Sequence, residues 1–454
     1  MLVFIIYTLV GKKQIKELNL LSFFRQDYFK LALKYYQSQD YNKALKYALK
    51  SVVSDSCNID KILLLGNTYY VLQDYKKALA FYNKILLLDS HNLSAQINYV
   101  DTLINLQQYS QAKQYLANIN NKEIKLFLQA KINFEQEEYA SAEEGFISYT
   151  NLKDTDSWGW NMLSQSAQKN GNYQLSLDAG LKAIEVSDGD DSHQLNFAYA
   201  IYEIAVEEGR GFVENHLRKW HQKYPENVIV KQVWNSFYPK PEFCKSDTLY
   251  VKKVFDDFAD SFDEILEELE YVVPLRIAEV AKANMVASLS EKISILDIGC
   301  GTGLCAQNLK KIFNNAEFLG VDISSQMLEK ARAKQIYKKL INDDIESYLL
   351  KPKKQYELIV AADVFTYFGD LKKIFQGMYR SLKNNGKIIF SISALFEVDS
   401  VWKQHLSGRF LHSQKYIENL LVEVGFSNAS FELCRLRKEG REDVLGWIIF
   451  AVKT

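Results

Sequence analysis

Residues 295–303 read Ile-Leu-Asp-Ile-Gly-Cys-Gly-Thr-Gly, and this stretch decides the fold of the second half of the chain. The apolar run Ile293, Ile295, Leu296 and Ile298 has the composition of a buried strand. It ends in a turn at Gly299, Gly301 and Gly303, after which Leu304 to Phe313 is patterned as a helix. A strand, a glycine-rich turn and a helix in that order let a nucleotide-like ligand rest on bare backbone, because glycine has no Cβ to block its approach. The next apolar stretch, Phe318-Leu319-Gly320-Val321, ends at Asp322. An acid at the tip of a second parallel strand is placed to accept hydrogen bonds from both ribose hydroxyls. Turn and acid together imply an adenosine-type cofactor.

The third glycine position decides which one. A dinucleotide fingerprint asks for Gly or Ala at position 304, where this chain has Leu304, and its glycines fall at every second residue instead. The string LDIGCGTG at 296–303, followed by GVD at 320–322, resembles the S-adenosylmethionine-dependent methyltransferases of the doubly wound class. Three further strings resemble tetratricopeptide-containing members of that family. They are YVKKVFDDFADSF at 250–262 with Asp263, AADVFTYFGDL at 361–371, and SGRFLHS at 407–413 with Tyr416.

Outward from the turn, strand-like and helix-like segments alternate. Strands are expected at 293–298, 317–321, 339–342, 356–361, 386–393, 429–436 and 444–452, and helices at 274–287, 304–313, 325–335, 370–383 and 413–424. Such alternation implies a mostly parallel, Rossmann-like seven-stranded sheet with helices on both faces, and the last two strands suit an antiparallel C-terminal hairpin. Ligands on such sheets sit at the carboxyl ends of the strands, where the turn after Ile298, Asp322, Asp344 and Asp363 all fall.

The first half is patterned differently. A polar residue followed by Tyr, with Ala three residues later, recurs at Tyr41/Ala44, Tyr75/Ala78, Tyr109/Ala112 and Tyr139/Ala142, and Tyr173 has Ser176 in the alanine place. The intervals of 34, 34, 30 and 34 residues match the tetratricopeptide length of about 34. The expected fold class is therefore α + α/β: an α-solenoid of tetratricopeptide helix pairs, then the methyltransferase sheet. The expected domains are an N-terminal segment 1–24, the helical repeat 25–236, a linker 237–249 around Tyr238-Pro239-Lys240-Pro241, and the methyltransferase domain 250–454. The repeat tyrosines read as packing residues. The solenoid groove offers a surface for a protein partner.

The resemblance implies roles for particular residues. Asp297 would hold the methionine ammonium. Gly299, Gly301 and Gly303 would line the methionine tail, with Cys300 in the same loop. Asp322 would bind the ribose hydroxyls, Ile323 would pack on adenine, and Asp344 (with Asp343 as the competing choice) would accept from the adenine amino group. Ala362 and Asp363 would lie beside the sulfonium. For Asp344 and Asp363 the alternative is a helix N-cap. On the acceptor side, His412 is the candidate general base, Arg409 the candidate partner for an acceptor carboxylate or phosphate, and Phe365 and Tyr367 are candidate aromatic faces for the sulfonium, worth ~0.5–2 kcal/mol.

Composition sets limits. With 454 residues, 48% apolar, two domains are expected. A net charge of −1, from 55 basic and 56 acidic residues, argues against nucleic acid as a partner. Five scattered cysteines lack metal-ligand or disulfide spacing, so no metal is expected and a reducing cytoplasm fits. Apolar residues 2–10 are about half the ~20 a membrane span needs, so no membrane association is expected. The Ala-Asp-Val-Phe at 362–365 lacks the Pro-Pro of amino-methylating DNA enzymes and the Pro-Cys of cytosine-C5 enzymes, which leaves a small molecule or protein as methyl acceptor. The competing reading is a tetratricopeptide adaptor whose methyltransferase-like domain binds cofactor without turnover. A nicotinamide oxidoreductase is a third, opposed by Leu304.

Overall fold

The computed structural model describes residues 27–454 except 39, 241, 289–291, 352–353, 398–399 and 440–441, so the apolar stretch at 2–10 lies outside the described residues. The chain divides into two compact units, Met1–Asp188 and Gly189–Thr454.

In the first unit the described residues form five helix pairs, from Tyr28–Gln37 with Tyr41–Ser54 to Ser157–Lys169 with Tyr173–Val186. Each repeat tyrosine (41, 75, 109, 139, 173) is the first residue of the second helix of its pair. The turns before them are tight, with left-handed Gln73, Gln107 and Glu137 and with Gly171. Asp40 and Asp74 cap their helices by accepting from the Lys43 and Lys77 amides. The tyrosine rings meet the preceding helix edge-on, as Tyr70–Tyr75 and Phe134–Tyr139 do. Ala44, Ala78, Ala112, Ala142 and Ser176 are all fully buried, because only small side chains fit where paired helices touch.

In the second unit three helices, Asp191–Glu208, Arg210–Lys223 and Val228–Phe237, come first. The sequence reading assigned them to the repeat domain; the contact boundary falls instead at Asp188/Gly189. The physical reason is visible at buried Gln232, whose side-chain amide donates to Ser246 Oγ at 3.1 Å and to the Gly408 carbonyl at 3.2 Å. Trp220, also fully buried, donates to Gln194 within the same helical group.

The sheet follows. Its strands are β1 Ser294–Ile298, β2 Glu317–Asp322, β3 Tyr337–Asn342, β4 Tyr356–Ala361, β5 Leu382–Ser393, β8 Phe426–Glu439 and β9 Glu442–Lys453, and a separate small hairpin pairs β6 Trp402–Gln404 with β7 Phe410–His412. The order is β3-β2-β1-β4-β5-β9-β8; the first five strands run parallel, and β9 is antiparallel to both neighbours. Every residue of β1 is buried, which is why it reads as a largely apolar stretch interrupted only by Ser294 and the site acid Asp297. Alternate residues feed the two faces: Leu296 and Ile298 join one core, Ile295 the other. The strand-order reversal lies between β1 and β4, and β1, β2 and β4 end side by side at Ile298, Asp322 and Ala361. The sequence reading missed the β6–β7 hairpin and the short helix Ile345–Leu350, both of them too short to carry a period.

Candidate active site

At the end of β1 the backbone turns through three left-handed glycines, Gly299 (φ +64°), Gly301 (φ +52°) and Gly303 (φ +91°). The amides of Gly299 and Cys300 donate to the Val321 carbonyl and tie the turn to β2. A Cβ on Gly299 would stand 2.4 Å from Val364 Cγ2, so an L side chain is excluded by contact as well as by φ. Cys300 is buried, its thiol pushed up by that burial, and its sulfur would lie 2.7 Å from a Cβ on Gly320. It belongs to the loop through its backbone and packs inward.

The two acids beside the turn have different surroundings. Asp322 Oδ2 accepts from the Gly301 amide at 2.8 Å and Oδ1 from the Ser324 amide at 2.9 Å. Burial raises its carboxyl to about 6 against those two bonds, which pull it down. Asp297 is 1% exposed; its Oδ2 accepts from the Tyr337 hydroxyl at 2.6 Å and its Oδ1 has no partner. Burial pushes it up to about 7, the Tyr337 bond opposes that, and Asp322 adds to it. A buried carboxylate oxygen without a donor costs about 1–3 kcal/mol, so this oxygen is poised for a cationic group.

Both acids, Gly299 and Gly301 line one cavity of about 190 Å³, together with Cys300, Ile323, Asp344, Ala362 and Asp363. Nine of the ten residues assigned to cofactor binding from the sequence thus meet there; Gly303 closes the turn but does not line the cavity. Asp344 lines it and Asp343 does not. Asp344 also caps the helix Ile345–Leu350 by accepting from the Glu346 amide at 2.9 Å, so the N-cap alternative describes one of its oxygens. The other accepts from Lys245 Nζ at 3.1 Å, and Lys245 also pairs with Glu346. Helices Thr248–Phe258 and Phe262–Glu268 form the apolar cover through Val251, Phe255, Phe262 and Leu266. They are held down by Asp256, which accepts from Ser324 Oγ at 2.6 Å, and by Asp263, which accepts from Thr302 and from Lys334.

The far end of the cavity is ionic. Asp363 has left-handed backbone (φ +59°), a conformation costing about 1–2 kcal/mol in a residue with a Cβ. It is fixed by its amide, which donates to Ser391 Oγ at 2.8 Å, and by Arg437 from β8, which pairs with its Oδ2. Arg437 also reaches Glu439, and Glu439 pairs in turn with Arg409. Tyr367, Arg409 and Arg437 all line the cavity.

His412 and Phe365 do not stand where the sequence suggests. His412 does not reach the cavity: it is fully buried, its Nε2 lies 3.1 Å from the Gly369 carbonyl, and burial lowers it to about 4. A neutral histidine walled into the fold cannot serve as a base for a ligand it does not meet. Phe365 is likewise fully buried, packed on Phe375 and Phe390, and presents no face to the cavity. The sequence reading missed Lys245, Tyr337 and Arg437. Each stands far along the chain from its partner and in no motif, so only chain folding pairs them with Asp344, Asp297 and Asp363.

The pocket fits a cationic adenosine compound. It offers an undonated carboxylate oxygen, a second carboxylate with lone pairs remaining after two amide bonds, and a cradle a Cβ would fill. Residues 295–386 match the family described as methyltransferase domain, and residues 72–123 match tetratricopeptide repeat. A malonyl-[acyl-carrier protein] O-methyltransferase of Priestia megaterium is 34% identical over 143 residues, 31% of this chain and 50% of that protein. An uncharacterized methyltransferase of Bacillus subtilis is 34% identical over 96 residues, 21% of this chain and 52% of that protein. The chain spans about half the length of the curated relatives it matches. Among solved structures, the magnesium protoporphyrin IX methyltransferase of Synechocystis with bound SAH aligns at 17% identity and a TM-score of 0.36, over 46% of this chain and 100% of that one.

Proposed function

We propose that this chain, which carries a methyltransferase domain behind tetratricopeptide repeats, transfers the methyl group of S-adenosylmethionine to a small-molecule or protein acceptor, with the repeats recruiting the acceptor or a partner. One observation carries the reading: Asp297 with its open oxygen, the glycine cradle and Asp322 face a single cavity at the strand-order reversal.

In this reading Asp297 receives the methionine ammonium, which restores the charge that burial opposes. The backbone of Gly299, Cys300, Gly301 and Gly303 lies along the methionine tail. Asp322 accepts from the ribose hydroxyls, Ile323 packs on the base, and Asp344 accepts from its amino group. Ala362 and Asp363 flank the reacting end. When bound, S-adenosylmethionine supplies a methyl group already activated by a cationic sulfur. The chain's own task is to orient the acceptor and keep water out, and alignment of this kind is worth up to ~7–11 kcal/mol. The apolar cover from Val251 to Leu266 does the second part. Five free cysteines accord with the cytoplasm as its location. Among the described residues no helix is long and apolar enough to cross a membrane, and no group of residues could hold a metal ion.

Calorimetry with S-adenosylmethionine and S-adenosylhomocysteine tests the reading. Saturable binding by the full chain, lost in Asp322→Ala, supports it. Equal heats from the two proteins would sink it. Transfer of a labelled methyl group then separates an enzyme from a cofactor-binding adaptor.

A further inference from the structure

Among the charged side chains lining the cavity, nearly all have their partners. Lys245 is held between Asp344 and Glu346. Arg437 spends one terminal nitrogen on Asp363 and the other on Glu439, and only 4% of its side chain is accessible. Arg409 differs. One of its terminal nitrogens pairs with Glu439 and it also hydrogen-bonds the Tyr367 side chain, its other donors have no carboxylate, and 31% of its side chain is accessible. Glu439 is shared by both arginines and also accepts from Tyr202, in helix Asp191–Glu208. The arrangement holds one guanidinium at the ionic end of the cavity, bonded to Glu439 and Tyr367, with further donors left to fill.

Among the described residues lining the cavity, every carboxylate has at least one oxygen committed, although Asp297 Oδ1 and Asp363 Oδ1 carry no hydrogen bond. Asp297 is bonded to Tyr337, Asp322 to two amides, Asp344 to Lys245, and Asp363 to Arg437. His412 is sealed away from the cavity, and burial raises the thiols of Cys300 and Cys305. An acceptor that must lose a proton would meet no histidine here and only carboxylates already held by a hydroxyl, an amide or a cation. An acceptor that arrives as an anion needs only to be held.

We propose that Arg409, braced by Glu439, Arg437 and Tyr202, is the acceptor subsite, and that the acceptor is a carboxylate methylated on oxygen. This inference rests on the methyltransferase reading above. In the step, a lone pair of the carboxylate oxygen forms the new C–O bond while the methyl carbon's bond to sulfur breaks. The bonding pair stays on sulfur, a methyl ester and S-adenosylhomocysteine result, and no proton is released. The other carboxylate that a guanidinium here can meet is that of the cofactor's own methionine tail, and the experiment separates the two.

The full chain is incubated with methyl-labelled S-adenosylmethionine and a set of acids (malonate, hexanoate, benzoate and their coenzyme A half-thioesters where a second carboxyl exists), with matching amines and phenols alongside. Esters release volatile labelled methanol in alkali; N-methyl and aryl O-methyl products do not. The expected result is alkali-labile label from at least one acid, reduced at least tenfold in Arg409→Gln. In parallel, Arg409→Gln is titrated with S-adenosylhomocysteine and with methylthioadenosine, which lacks the amino-acid tail. Affinities within about twofold of the unaltered protein are expected for both. Loss of S-adenosylhomocysteine affinity alone would assign the guanidinium to the cofactor tail and overturn the inference. So would label that is only alkali-stable, or absent. If the unaltered chain fails to bind S-adenosylhomocysteine at all, the methyltransferase reading itself fails, which is a distinguishable outcome.

Discussion

The two ends of the cavity are built on opposite principles. The end beside β1 is made mostly of backbone. Three left-handed glycines and two strand-end acids, Asp297 and Asp322, lie within 26 residues and form the cradle with few side-chain partners. The other end is made of charged side chains, Asp363, Arg437, Glu439 and Arg409, drawn from β4's end, from β8 and from the β6–β7 loop, with Tyr202 added from a helix that precedes the sheet. A backbone cradle is specified by what must be absent, namely Cβ atoms. A buried ion chain is specified by balance, since each charge needs its neighbour. The first tolerates change in what surrounds it; the second fails when any member is removed.

That contrast can be broken at several points. The largest effect is expected from Arg437→Ala, which leaves the partly buried Asp363 and Glu439 without the buried cation they share. A loss of about 3–5 kcal/mol in chemical denaturation is expected, and a change under 1 kcal/mol would show that the ion chain is not structurally coupled. Gly299→Ala comes next. Its left-handed backbone and the overlap with Val364 together cost about 2–4 kcal/mol, and S-adenosylhomocysteine binding should disappear in calorimetry. For Asp322→Ala, the loss of charged hydrogen bonds to a bound ribose predicts a smaller effect, affinity weakened by about 10- to 100-fold.

The smallest effect is a pH dependence confined to the cofactor end. Burial raises Asp297 to about 7 and Asp322 to about 6 from an ordinary 3.8. In both cases the folded protein holds a proton that the unfolded chain has released. Their contribution to stability is therefore full below the ordinary carboxyl range and is lost as pH rises through 6 and 7. Binding of a cationic ligand runs the other way, because it needs the ionised Asp297. Affinity for S-adenosylmethionine should rise about tenfold between pH 6 and 8 and become nearly flat in Asp297→Asn. A flat profile in the unaltered protein would show that Asp297 does not meet the ammonium.

Legibility followed the same division. The glycine turn, Asp322 and the alternating segments could be read from the chain because neighbours in sequence are neighbours in that part of the site. The repeat tyrosines and alanines could be read because a period of about 34 residues repeats one packing problem. His412 misled because a histidine in a motif-like loop says nothing of which way its ring faces, and this one faces the Gly369 carbonyl inside the fold. Tyr337 and Lys245 carried no signal, since each completes a carboxylate met only after the sheet and its cover have formed. The helices from Asp191 to Phe237 resembled a continuation of the repeats because helical periodicity records an apolar face and not what that face meets.

The sequence by itself determined the class of each half, the glycine cradle and the two acids beside it. These depend on local backbone preference and on periodic burial, which are written residue by residue. Only the tertiary structure decided which charges are paired, which arginine keeps donors to spare and which histidine is sealed away. Pairing of charges depends on distances between residues far apart in the chain, such as Lys245 and Asp344, 99 positions apart, and no local pattern encodes them.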